Sequence, residues 1–327
     1  VLLEEALAFL APRPGETALD CTVGLGGHAE ALAKRLGPTG VLILNDADPS
    51  NLASGVARIA RLPSPPRIVE FRGNFADSPR RTVDAALRAD IVLADLGFAS
   101  NQVEQPERGL SFAREGPLDM RLDPAAPLTA ATLVNTLSEQ ELGEIIRDYG
   151  EERHWRSVAR KLVAQRDLSP IETTTRLATI VRSVVGIHGG GNRIDPATRT
   201  FQALRIAVND ELGSLRSLLE SISRSAAALE RLTGGGADGN VCVPGGGGGG
   251  GWLGRGARIG IIAFHSLEDR MVKQTFAQLV SRNLAEHLGK RPIESTQAER
   301  ERNPRARSAK MRIIRVCGQM DERPPVV

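Results

Sequence analysis

A glycine turn and three acidic residues are the parts of this sequence best placed to do chemistry. Asp20 stands just before Gly24-Leu-Gly-Gly-His28, Asp46 follows Gly24 by 22 positions, and Asp95 opens Asp95-Leu-Gly97. Glycines let the backbone approach a ligand closely and adopt positive φ at little steric cost. A helix starting at such a turn offers free N–H groups and the positive end of its dipole. A carboxylate at Asp46 can accept both hydroxyls of a ribose. Gly24-x-Gly-x-x-Ala29 also satisfies a loose dinucleotide fingerprint. On these residues alone a nicotinamide dinucleotide, a methyl-donating nucleoside and a tight turn with no ligand all stay open.

Asp95 narrows the choice. In a methyl-transferring enzyme an acid at this point faces the migrating methyl and its acceptor. A carboxylate there could accept a hydrogen bond from an exocyclic amine such as N4 of cytosine, orienting it and raising its nucleophilicity. A plain turn cap is the competing explanation. His265, in His265-Ser-Leu-Glu-Asp269, is a further candidate. Gln202, Arg205 and Asn209 share a polar stripe that starts near Arg199. It reads either as a solvated helix flank or as a row facing a cleft. Arg305, Arg307, Lys310 and Arg312 form a basic run that could lie in solvent or grip phosphates.

The elements that must position these residues alternate. Leu2 to Leu10 reads as a short helix, Thr17–Val23 as a first strand, and Ala29 to Leu36 as a helix. Val41 to Asn45 is a continuous apolar run, as expected of a strand buried on both faces. A helix follows from Ser50 to Leu62. Arg67 to Phe71 is a third strand leading to Phe75, and Ala89 to Ala94 is a fourth. This rhythm argues for an α/β doubly wound sheet, with its strand ends converging on one crevice. A long polar loop covers about 98–124. Residues 125–195 then read as a helical insertion, with Gly189-Gly-Gly191 at its exit. From Pro196 a single long helix carries Phe201, Leu204, Val208, Leu212, Leu215 and Leu219 on one face. The sheet domain thus comprises 1–124 and 196–327. Residues 233–256, with seven glycines from Gly245 to Gly251, read as a flexible insert without chemistry. Arg258 to Phe264 is a fifth strand, and Ile313 to Cys317 a last one.

Bulk composition excludes little. With 42 Lys and Arg against 39 Asp and Glu, any nucleic-acid footprint must be local. Cys21, Cys242 and Cys317 are too scattered for a disulfide framework or a metal cluster. No metal site is expected. No apolar run approaches 18 residues and no signal-peptide pattern is present, so a cytoplasmic protein without membrane contact is expected. A few residues are expected to precede Val1.

Several strings occur in one order: Gly24-Leu-Gly-Gly-His28, Asp46-Ala-Asp-Pro49, Asp95-Leu-Gly97, Arg108-Gly-Leu-Ser-Phe112, Gly116-Pro-Leu-Asp-Met-Arg121, Tyr149-Gly-Glu-Glu-Arg153, Pro196 to Ile206, Phe264-His-Ser-Leu-Glu-Asp-Arg270 and Asn303-Pro-Arg-Ala-Arg-Ser308. In these the chain closely resembles the RsmH (MraW) family of bacterial ribosomal RNA methyltransferases. The resemblance implies a class I S-adenosylmethionine-dependent methyltransferase sheet, Rossmann-like and mostly parallel, with an inserted helical domain. It implies methylation of N4 of a cytosine at the decoding centre of 16S ribosomal RNA, in the small subunit. By motif match, Gly26, Gly27, His28, Asp46, Phe75, Asp95 and Gln102 would contact the cofactor, with Phe75 on the adenine and Asp46 on the ribose. Asp95 and His265 would be catalytic. Arg199, Arg205, Arg305, Arg307 and Lys310 would meet RNA, with the helical insertion as a recognition element, and a homodimer is a further expectation. Phe98-Ala-Ser-Asn-Gln102 replaces the family's usual Val-Ser-Ser-Pro-Gln, so the proline that would set Gln102 is absent. Two readings compete: an NAD-dependent oxidoreductase, and a non-catalytic RNA-binding assembly factor on the same fold.

Overall fold

The computed structural model describes residues 1–186, 195–233 and 251–317. Its elements, in order, are α1 (Leu3–Leu10), β1 (Thr17–Asp20), α2 (Gly27–Leu36), β2 (Val41–Asp46), α3 (Pro49–Ala60), β3 (Arg67–Arg72), α4 (Ser78–Asp84), β4 (Ala89–Asp95), α5 (Ser100–Glu104), α6 (Ala130–Thr136), α7 (Glu139–Gly150), α8 (Trp155–Arg166), α9 (Thr174–Val185), α10 (Ala197–Asn209), α11 (Glu211–Thr233), β5 (Leu253–Ala263), α12 (Ser266–Ser281), β6 (Ala285–His287), β7 (Ile293–Glu294), α13 (Gln297–Arg302) and β8 (Lys310–Val316).

Two compact units result. The first comprises Val1–Gly97 and Gly213–Val327. Its sheet runs β3-β2-β1-β4-β5-β8-β6, with β7 also paired to β8. The pairs from β3 through β5 are parallel, and β8 runs antiparallel to its neighbours. Alternate residues of a strand point to opposite faces. Ile43 and Val92 accordingly enter a core with Leu215, Ile222 and Phe276, while Leu42, Leu44, Ile91 and Leu93 enter another with Leu10, Leu32 and Ile59. Both faces are covered, which is why β2 and β4 carry apolar residues without alternation. Asp48 starts α3 by accepting a hydrogen bond from the Ser50 N–H, with Pro49 in the first turn.

The second unit is Phe98–Leu212. It is wider than the 125–195 segment read from the sequence. Leu118 and Met120, from the preceding loop, and Phe201 and Leu204, from α10, share one core with Leu133, Leu142 and Leu177. Within that loop the chain forms α5 and a 3-10 turn at Pro106–Arg108.

Three further expectations are corrected. The single helix from Pro196 is two, α10 and α11, broken at Asp210 with φ 45°. The expected insert at 233–256 ends early: Trp252 and Leu253 are buried, and β5 begins at Leu253. Gly189-Gly-Gly191, Cys242 and residues 234–250 lie outside the described residues. The last strand begins at Lys310, so Lys310 and Arg312 sit on β8 and not in a basic loop.

Candidate active site

The chain moves outward from β1 through β2 to β3, then returns to β4 on the other side of β1. The crevice at such a reversal, beyond the carboxyl ends of the strands, is where open α/β sheets bind ligands. Cys21 to His28 follow β1 there, and Asp95 ends β4. Thr22 ties the two strand ends together, its Oγ1 accepting a 2.7 Å hydrogen bond from the Asp95 N–H. Asn45 does the same for the neighbouring pair, donating from Nδ2 to the carbonyls of Cys21 and Gly73.

The glycine turn is held by Asp46. Its Oδ2 accepts from the Gly24 N–H and its Oδ1 from the Asp48 N–H, both at 2.8 Å. Gly26 takes φ +77° at the start of α2, and a Cβ there would come within 3.0 Å of Gly55 Cα. A side chain at this position would be strained and would push α3 away. A Cβ on Gly27, by contrast, would meet nothing within 4 Å. The turn therefore presents open backbone at the first residue of α2. Phe75, half-buried, stands beyond the end of β3 in a short 3-10 turn capped by Asn74.

Electrostatics mark the site further. Asp20 is 1% exposed; its Oδ1 accepts from the Thr22 N–H, and its Oδ2 has no hydrogen-bonding partner among the described residues. Asp95 Oδ1 is likewise buried and unpartnered. Burial pushes both carboxyls up to about 7, and for Asp20 the neighbouring Asp95 and Asp46 add to the effect. Burial also raises Asp46. A buried carboxylate oxygen with no partner is costly. Two of them at one strand-end crevice suit a ligand that brings positive charge and N–H groups. A ribose on Asp46 and a cationic amino-acid tail beside Asp20 and Asp95 fit that donor set.

The sheet unit thus gathers Gly26, Gly27, His28, Asp46, Phe75 and Asp95 at its strand ends. Gln102 belongs to the second unit, where its Oε1 accepts from the Ala99 N–H. His265 precedes α12 and caps it: Nδ1 accepts from the Glu268 N–H, while Nε2 lies 3.3 Å from Glu268 Oε1, off the hydrogen-bonding direction. The polar stripe on α10 does not form a row. Gln202 donates to the Tyr149 carbonyl, Asn209 binds the loop at Met120 and Leu122, and Arg205 forms a bidentate pair with Glu211. Arg205 also lies over the Phe98 ring and is 13% exposed. Arg199 is 53% exposed, 3.9 Å from the buried Glu152. Arg305 and Arg307 are exposed on a 3-10 turn, Lys310 is half-buried, and Arg312 is paired with Asp269 at 2.7 Å. Sequence reasoning placed Asp20 at the crevice edge without assigning it to the site. Its place just before the glycine turn was the available signal; the expected strand ran on to Val23, whereas β1 ends at Asp20.

Known proteins bear on this arrangement. The protein named ribosomal RNA small subunit methyltransferase H in Symbiobacterium thermophilum is 40% identical over 334 residues, covering 96% of this chain and 95% of that protein. Its namesake in Koribacter versatilis is 42% identical over 318 residues, covering 95% and 91%. The one in Synechocystis is 42% identical over 307 residues, covering 93% and 88%. The MraW methylase family model matches residues 1–233 and 250–317. With that match spanning nearly all of a sheet whose strand ends form this cradle, the chain belongs to the MraW methylase family.

Proposed function

We propose that this methylase uses S-adenosylmethionine to methylate N4 of a cytosine in the decoding centre of 16S ribosomal RNA, in the cytoplasm and on the small subunit or its RNA. The name shared by the relatives supports the RNA substrate. The observation that carries the cofactor is the pair of buried, unpartnered carboxylate oxygens, Asp20 Oδ2 and Asp95 Oδ1, beside the glycine turn.

When bound, the cofactor supplies a methyl group activated by its sulfonium. The protein's residues would do the rest. Backbone groups of Gly26 and Gly27 would line the nucleoside, Asp46 would accept the ribose hydroxyls, and Phe75 would pack on the base. Asp20 and Asp95 would balance positive charge. Asp95, anchored through its own N–H to Thr22, would also orient the target amine by accepting one of its hydrogens. Gln102 would complete the cofactor contacts. An RNA base reaches such a crevice only when splayed out of its stack. With eight Phe, two Trp and one Tyr in the whole chain, extended base stacking is unavailable, so phosphate contacts from residues such as Arg199, Arg305, Arg307 and Lys310 would dominate. Arg205, already engaged by Glu211, would support the fold of its own unit more than it would bind RNA.

A calorimetric titration with S-adenosylhomocysteine and with NADH tests the cofactor. The product analogue is expected to bind and NADH to give no heat. Binding of NADH in preference would favour the oxidoreductase reading instead.

A further inference from the structure

We infer that His28 and Asp95 act as one proton-accepting pair, in which the histidine ring positions the carboxyl that receives the proton released by the methylated amine. The inference rests on the methyl-transfer reading above.

His28 Nε2 lies 2.9 Å from the carbonyl oxygen of Val1. A carbonyl can only accept, so Nε2 carries the ring proton. The side chain is 11% exposed, and burial holds His28 down to about 4, so the ring is neutral near pH 7. Its Nδ1 therefore presents a lone pair, and Asp95 Oδ2 faces it at 3.6 Å. That separation is just beyond hydrogen-bond length, as expected when a lone pair faces an ionised carboxylate. A proton arriving on Oδ2 turns repulsion into a donor–acceptor contact that a shift of a few tenths of an ångström completes. Thr22 holds the Asp95 backbone in place, so that Oδ2 faces the histidine ring. The other charged side chains acting on Asp95 are Glu268 and Glu299, which raise it, and Asp95 in turn raises Asp20. On His28 acts Glu299, which raises it against the effect of burial.

The balance of the step is simple. The N4 lone pair forms the new N–C bond while the donor's C–S bond breaks, its electron pair staying on sulfur. The N4–H bond then breaks, its electron pair returning to nitrogen and its proton passing to Asp95 Oδ2, whose new O–H turns toward His28 Nδ1. That proton rests between Oδ2 and Nδ1, and His28 itself stays neutral.

Two measurements test the pair. In protein labelled with ¹⁵N-histidine and free of ligand, Nδ1 of His28 is expected to be the unprotonated nitrogen and to shift as pH passes through the Asp95 titration. That inflection is expected to vanish in Asp95→Asn. In turnover, His28→Gln removes the acceptor that favours the protonated carboxyl, so the acid limb of the kcat–pH profile moves down by about one unit. His28→Asn, which keeps an acceptor near the Nδ1 position, restores it. An inflection that persists in Asp95→Asn, or a limb that stays put in His28→Gln while cofactor affinity falls, overturns the inference and leaves His28 a cofactor contact only. If no RNA is methylated by the wild-type protein, the function fails, while the nitrogen titration still decides the pair.

Discussion

Replacing Asp20 by Asn should stabilise the ligand-free protein above neutral pH while weakening the cofactor. Burial raises this carboxyl from 3.8 to about 7. Between those values the folded state holds a proton that the unfolded chain has lost, so stability is greatest at low pH, falls as pH rises toward 7, and levels off above it. A shift of about three units corresponds to at most ~4 kcal/mol. Asn is nearly isosteric with the protonated acid and keeps the acceptor for the Thr22 N–H. At pH 4 the variant and wild type should therefore agree within ~1 kcal/mol; at pH 8 the variant should be more stable by ~3–4 kcal/mol, the lower figure allowing for an unpaired amide N–H. The assay is urea unfolding followed by indole fluorescence. The chain has two tryptophans, so a Trp155→Phe background leaves Trp252, which is buried in the same unit as Asp20, as the reporter. Affinity for S-adenosylhomocysteine should fall by about tenfold or more, the value of a hydrogen bond to a charged group. A variant no more stable at pH 8 than at pH 4, relative to wild type, would refute the desolvation argument for this crevice.

Other substitutions separate roles the sequence leaves together. Asp95→Ala should reduce methyl transfer by about 10²- to 10⁴-fold with the fold intact by circular dichroism; near-normal turnover would remove Asp95 from the chemistry. Arg305→Ala with Arg307→Ala should weaken RNA binding and make the log–log salt slope shallower by about 1.4, whereas an unchanged slope would place the phosphate contacts elsewhere. Arg205→Ala should destabilise the second unit by ~2–4 kcal/mol, because it strands the Glu211 carboxylate, which is only 10% exposed. Arg199→Ala should change stability by less than ~1 kcal/mol, since its pairing is long and exposed. Equal losses for the two, read by Trp155 fluorescence, would contradict the assignment of Arg205 to folding.

The doubly wound sheet was legible because strands buried on both faces leave unbroken apolar runs, as in Val41 to Leu44, and because each ends in a turn-forming string. The break at Asp210 was not legible. The apolar spacing from Val208 to Leu215 continues through it, and only the backbone turn at Asp210 separates α10 from α11. The start of β5 was hidden because Gly251 to Gly256 has a turn-like composition, yet Trp252 and Leu253 are drawn into the core. The basic run near the end concealed the start of β8 for the opposite reason: Met311 points inward between Lys310 and Arg312, which do not. At the site, spacing exposed Asp46 and Asp95, since each ends a strand. It could not reveal that Asp20 and Asp95 each bury an oxygen without a partner, because that depends on how the strand ends are tied across the sheet by Thr22 and Asn45.

The most direct test of the whole account is mass mapping of small-subunit ribosomal RNA after incubation of the protein with isotopically labelled S-adenosylmethionine. The account predicts one labelled methyl group, on N4 of a single decoding-centre cytosine. Label on another base or atom, or an unlabelled RNA, would contradict it.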